Sequence, residues 1–256
     1  VFQANRIGAL FSPQGGKFAS LNHDGYFKAP YTSENSPSTI YASAPWIGGY
    51  KDGELKLAGT SFGFIKQDYY TGPLNPEATT YPDLCNYFDH IWSVSRGEIE
   101  QHILDAADGN IEDTIHGIFG WPAQGNMFFG HFNPFELPTD HNGGWAEFDD
   151  LNDNGIYEPQ FGEFPVIDIR VFLNDIYPDE MIFWIYNDAG GIHTNTQGSP
   201  IRMEVQVQAF AFRTADELND MTFQRYKLIN RAPQEINQCY FAMWTDPDLG
   251  CFSDDY

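Results

Sequence analysis

The feature that most narrows the fold of this chain is a run of two-residue alternation from Ile201 to Ala209. Ile201, Met203, Val205, Val207 and Ala209 fall on one side of an extended chain, with Arg202, Glu204, Gln206 and Gln208 on the other. Successive side chains of a strand point to opposite faces of its sheet, so this pattern suits β structure and not a helix. Residues 182–186 read as a strand before it, ending in a turn at Asn187, Asp188, Gly190 and Gly191. Residues 221–230 and 238–245 read as strands after it, with a helical turn expected at 215–218. Successive strands at this spacing predict an antiparallel sheet.

The first eighty residues carry the same signature in shorter pieces. Residues 8–11, 16–21 and 25–28 read as a meander with a tight turn at 22–25. A longer strand, 38–50, runs into the Gly48–Gly49 bend. Lys51, Asp52, Gly53 and Glu54 form a hairpin turn, returned by 55–62.

Helix is expected only in the middle. Leu84, Tyr87, Phe88 and Ile91 recur at helical spacing over 84–94. Ser95 and Glu98 then stand three apart as a capping box, opening a helix with Ile99, Ile103 and Leu104 as its apolar stripe. The predicted class is mainly β, an antiparallel β-sandwich-like architecture with a short helical insertion around residues 84–107. Aromatic residues are plentiful in both halves and no Ser/Gly-rich or charged linker interrupts them. Residues 1–256 therefore read as one β-rich domain, expected to be the N-terminal portion of a longer chain.

The most chemically specific segment is 150–163. Asp150, Asn152 and Asn154 place oxygen-bearing side chains at alternate positions, Gly155 follows, and the Ile156 carbonyl stands seventh. This is the front half of an EF-hand-type loop, in which glycine permits the sharp bend that lets oxygens converge on calcium. Position twelve is Phe161, which offers no carboxylate. Glu158 and Glu163 are the replacements, with Asp168 further off. The competing reading is an Asx-rich turn that caps a strand. Asp246, Asp248, Asp254 and Asp255 form a second acidic group, read either as a further site or as turn chemistry.

Charge bounds the partners. Thirteen Lys and Arg face 36 Asp and Glu, a formal net charge of −23. A field of that sign repels nucleic acid and anionic lipid, and no apolar run is long enough to span a bilayer. Cys85, Cys239 and Cys251 make no disulfide framework, although Cys239 and Cys251 lie close enough in sequence for a local bridge. His90 and His102 lack the HExxH spacing and read as packed or solvated residues. No GxSxG, P-loop or GxGxxG motif is present. Trp121, Trp145 and Asn126 lie in or beside the Gly-, Pro- and aromatic-rich stretch 117–142, as core residues or as a sugar-stacking surface.

One set of landmarks carries a resemblance. Trp46–Gly49 with Gly72, Pro73 and Leu74 comes first, then the 150–162 loop leading into Glu163, Phe164 and Pro165. Trp184 to Asp188, His193 to Thr196, Glu204 to Gln206, Met221 to Phe223, Ile229 to Arg231 and Trp244 to Gly250 complete it. In this order they resemble the N-terminal regions of large secreted Bacteroidota surface proteins of the type IX secretion kind. The resemblance implies an extracellular, cell-surface location and no particular activity. A structural or adhesive surface module stabilised by calcium, as part of a surface layer or filament, is the leading expectation, with other surface proteins, copies of itself or glycans as partners. A glycan-binding domain and a secreted glycan hydrolase are the alternatives.

Overall fold

A computed structural model describes residues 1–22, 24–62, 66–141, 143–167 and 177–248. In chain order the strands are β1 (Gly8–Ala9), β2 (Phe27–Lys28), β3 (Ser38–Lys51), β4 (Glu54–Gly59), β5 (Tyr70–Thr71), β6 (Trp92–Ser95), β7 (Glu180–Asn187), β8 (Met203–Ala211), β9 (Phe223–Asn230) and β10 (Asn237–Pro247). They form two antiparallel sheets, one in the order β1-β2-β3-β10 with β4 also on β3, the other β5-β7-β8-β9 with β6 also on β7. The helices α1 (Pro82–Tyr87) and α2 (Arg96–Ala106) flank β6 and are followed by the single turns α3 (His116–Phe119) and α4 (Phe129–Phe132). The fold is mainly β and sandwich-like.

One apolar cluster fills the space between the sheets. It draws Phe2, Ile7, Phe11, Ile47 and Ala58 from the first part of the chain and Trp184, Tyr186, Val205 and Val207 from the last. A second cluster lies on the far side of β7 and β8. There Trp121, Phe129, Trp145 and Tyr157 pack over Phe183 and Ile185, together with Phe88, Trp92 and Ile99. The second sheet is therefore covered on both faces, and every residue of β8 is buried. The alternation holds from Met203 onward, but Glu204, Gln206 and Gln208 face protein rather than water, while Arg202, at φ 69°, stands outside the strand and is exposed.

Three expectations change. The helical reading of 84–94 holds only to Tyr87; Trp92–Ser95 is instead a strand on β7, with Trp92 and Val94 inside and Ser93 outside. Leu104 is exposed, and His102 takes its place beside Ile99 on the buried side of α2. β10 does not continue the sheet of β8 and β9. After Asn230 the chain crosses the sandwich, and β10 pairs with β3 from Ile40 to Tyr50.

Other local chemistry holds. Ser95 caps α2, accepting the Glu98 N–H at 3.3 Å while the Glu98 carboxylate accepts the Ser95 N–H at 2.8 Å. Asp52 and Gly53, at φ 52° and 82°, make the two-residue turn of the β3–β4 hairpin. The early meander is reduced to β1, β2 and isolated pairings at Phe11, Lys17 and Ala19.

Candidate metal centre

The 150–163 segment leaves the body of the protein and returns to it through a closed neck. Asp149 donates its N–H to the Phe164 carbonyl at 2.9 Å, and Phe148 pairs with Pro165. Midway, Tyr157 is buried, its N–H on the Gln124 carbonyl at 2.7 Å and its hydroxyl on the Ile118 carbonyl at 3.1 Å. Residues 151–156 are thus an exposed tip held between two anchors.

Within the tip the side chains fold inward. Asp150 accepts the N–H groups of Asn154 at 3.1 Å and Gly155 at 2.7 Å. Asn152 accepts from Asn154 at 3.1 Å, and Asn154 accepts from Ile156 at 2.7 Å. The side-chain amides of Asn152 and Asn154 both donate to one oxygen of Glu158, at 3.0 and 2.7 Å. Asp153, at φ 58°, and Gly155, at φ 73°, supply the left-handed residues that this winding needs. Asp150, Asn152, Asn154 and Glu158 are thereby gathered around one bend.

Glu163 stands behind them. It is buried, and its two oxygens accept the N–H groups of Leu151 at 3.2 Å and Glu158 at 2.7 Å. Burial pushes its carboxyl above the usual range, the two amides pull it down, and the charges of Asp150 and Glu158 push it further up. Burial, reinforced by the Asp150 charge, raises Asp149 as well. Phe161 points its ring to solvent.

Chemically the tip offers only oxygen: carboxylates from Asp150 and Glu158, amides from Asn152 and Asn154, and backbone carbonyls. That donor set fits a hard cation such as calcium. To present oxygen in place of N–H, the Asn152 and Asn154 amides turn over. Among the described residues no group of three or more His, Cys, Asp or Glu side chains is arranged to hold a metal. The set at the tip differs in kind, because half of it is amide.

The other sequence candidates fall elsewhere. Asp246 lies in β10 beside Ala42 and Asp248 follows it, while Asp168, Cys251, Asp254 and Asp255 lie outside the described residues. Cys239 is exposed. His102 Nε2 lies 3.1 Å from the Glu163 carbonyl, and His90 packs against Trp92. Trp121, Trp145 and Asn126 are buried and present no sugar platform. A polar cleft of about 420 Å³ holds Glu98, Asp179 and Glu180, but each is engaged: by Ser95, by Arg96 at 3.0 Å, and by the Gln3 N–H at 3.4 Å.

Two buried polar groups escape a reading by motif. Glu204 accepts from the Leu74 N–H at 2.9 Å, lies 2.8 Å from His141 Nε2 and pairs with Arg231 at 3.1 Å. The His141 ring stacks on Trp145 at 4.1 Å between centroids. Burial pushes the Glu204 carboxyl up, but the His141 hydrogen bond and charge, with Arg231, outweigh it and hold it below its usual value. In the other group, His193 stands between Asp68 and Asp188, all three buried. The signal for Glu204 was present in sequence, as a lone carboxylate in an otherwise neutral stretch of strand. His193, Asp68 and Asp188 gave none.

No family model, curated protein or solved structure matches the chain.

Proposed function

We propose that this chain is a secreted cell-surface module, structural or adhesive, whose 150–163 loop takes calcium as a folding ligand. The observation that carries the reading is the convergence of Asp150, Asn152, Asn154 and Glu158 on one bend, with Glu163 bracing it from behind. An exposed tip between fixed anchors is where a bound ion adds most order. The edge of the first sheet supports the assembly part. Among the described residues β10 pairs only with β3, and it exposes Tyr240, Phe241 and Met243. An edge strand of that length is a surface on which another chain adds by strand pairing.

Calcium binding to the native state alone stabilises it by mass action, about 2.7 kcal/mol at a hundred times Kd. The test is titration calorimetry with calcium, paired with thermal unfolding in calcium and in chelator, for the parent and for Asp150→Ala. Heat of binding and a rise in Tm that Asp150→Ala abolishes uphold the reading. Equal Tm values in calcium and chelator refute it. A hydrolytic activity lost in a well-folded Asp150→Ala would assign the loop to catalysis instead.

A further inference from the structure

Lys17 belongs to the first sheet by its main chain and reaches the second by its side chain. Its backbone pairs with Ser43 of β3 through hydrogen bonds of 2.8 and 3.0 Å. Its Nζ crosses the sandwich to lie 2.8 Å from Gln224 Oε1 on β9. The Tyr226 hydroxyl, two residues along the same face of β9, donates to that same oxygen at 2.9 Å. Two donors meeting on one atom fix the amide orientation, so the Gln224 carbonyl oxygen points at both.

The surroundings favour an uncharged amine. Lys17 is 5% exposed, with Met243 Sδ at 3.0 Å and the rings of Phe18 and Tyr226 at 5.5 and 5.6 Å. Among the described residues no carboxylate pairs with it, and burial lowers its pKa to about 8. On the order of a tenth of the amine is then neutral and nucleophilic at pH 7. Burial pushes the Tyr226 phenol up, which keeps it a hydrogen-bond donor.

We propose that Lys17 and Gln224 join in an intramolecular isopeptide bond that covalently ties the two sheets. The lone pair of Nζ adds to Gln224 Cδ, and the carbonyl electrons move onto Oε1, where the Tyr226 hydroxyl meets the growing charge. When the carbonyl re-forms, the Cδ–Nε2 bond breaks. The proton shed by Nζ passes to Nε2, which leaves as ammonia. One secondary amide replaces one primary amide, nothing is oxidised or reduced, and no co-reactant is consumed. The two residues stand 207 apart in sequence, so the bond closes most of the chain into a ring. This proposal is independent of calcium in the 150–163 loop.

The test is the intact mass of the whole chain under denaturing conditions, after the folded protein has been incubated at pH 8. The expected mass is one ammonia below that of the sequence. A protease digest then yields a branched peptide joining Lys17 to Gln224, which separates this bond from an Asn cyclised elsewhere. Lys17→Arg returns to the sequence mass, and Tyr226→Phe cross-links more slowly by on the order of a hundredfold. A parent mass equal to the sequence mass, or a deficit mapped to other residues, overturns the proposal whether or not the variants fold. A Tyr226→Phe rate equal to the parent's overturns the polarised-carbonyl step.

Discussion

Asp188 holds His193 by its main chain, with its carbonyl oxygen 2.6 Å from His193 Nε2. The other ring nitrogen lies 2.8 Å from the Leu57 carbonyl. The ring is thus held between two main-chain carbonyls. The carboxylates of Asp68 and Asp188 flank it at 3.9 and 3.8 Å. His193→Ala removes a buried ring and both of its hydrogen bonds and is expected to cost roughly 2–3 kcal/mol. Urea unfolding checks this: a midpoint unchanged within error would show that the ring is a spectator.

Glu204→Gln keeps the shape of the side chain but replaces the carboxylate that pairs with the buried Arg231 charge by a neutral amide. A loss of roughly 3 kcal/mol at neutral pH is expected. The pH dependence has a definite sign. The folded Glu204 pKa lies below its unfolded value, so its contribution is full above the ordinary carboxylate range and fades as pH falls through the depressed value. Acid unfolding followed by circular dichroism should show a smaller stability difference between parent and variant at low pH than at pH 7.

Glu163 behaves in the opposite sense. Its folded pKa is raised, so without metal the native state holds its proton more firmly and loses stability as pH climbs from the ordinary carboxylate value through the raised one. On the proposed function, calcium would favour the ionised brace. Affinity measured by calorimetry should therefore weaken as pH falls through the raised pKa, and Glu163→Gln, with one acceptor for two amides, should bind more weakly than the parent at every pH. A flat pH profile would remove Glu163 from the site.

Ser95→Ala deletes the side-chain half of the capping box. About 1 kcal/mol of stability should go with it, read as a lower urea midpoint with the same m value. Ser95→Asp should recover most of it.

The parts legible in the sequence are those decided by neighbours in the chain. Ser95 and Glu98 settle the start of α2 within four residues, and the Asp52–Gly53 hairpin needs only two. Ile201 to Ala209 declares its strand because nine residues repeat one choice. β6 has only four, so the helical spacing of Leu84, Tyr87, Phe88 and Ile91 extended through Asp89 and His90 into it. The sheet that β10 joins depends on β3, almost two hundred residues earlier, and no local pattern reports that.

The candidate site divides in the same way. The spacing of Asp150, Asn152 and Asn154 around Gly155 is local and readable. Which of Glu158 and Glu163 faces the bend is not, because it depends on how Tyr157 is anchored under Gln124 and Ile118. Lys17 and Gln224 meet only once both sheets exist.

The buried polar side of β8 also governs how the chain tolerates rearrangement. Glu204 is met by the Leu74 N–H and His141, and the side-chain N–H groups of Gln206 and Gln208 are met by the Gly144 and Val166 carbonyls, while Gln208 Oε1 has no partner. A greasy sheet face accepts its covering segment in many offsets of similar energy. This one accepts it in a single alignment, since a slip by one residue pair strands a carboxylate and two amides away from water. The covering segment is thus indexed to the sheet at fixed points. Length changes are admissible only in stretches that bulge outward between those points, away from the residues that do the indexing.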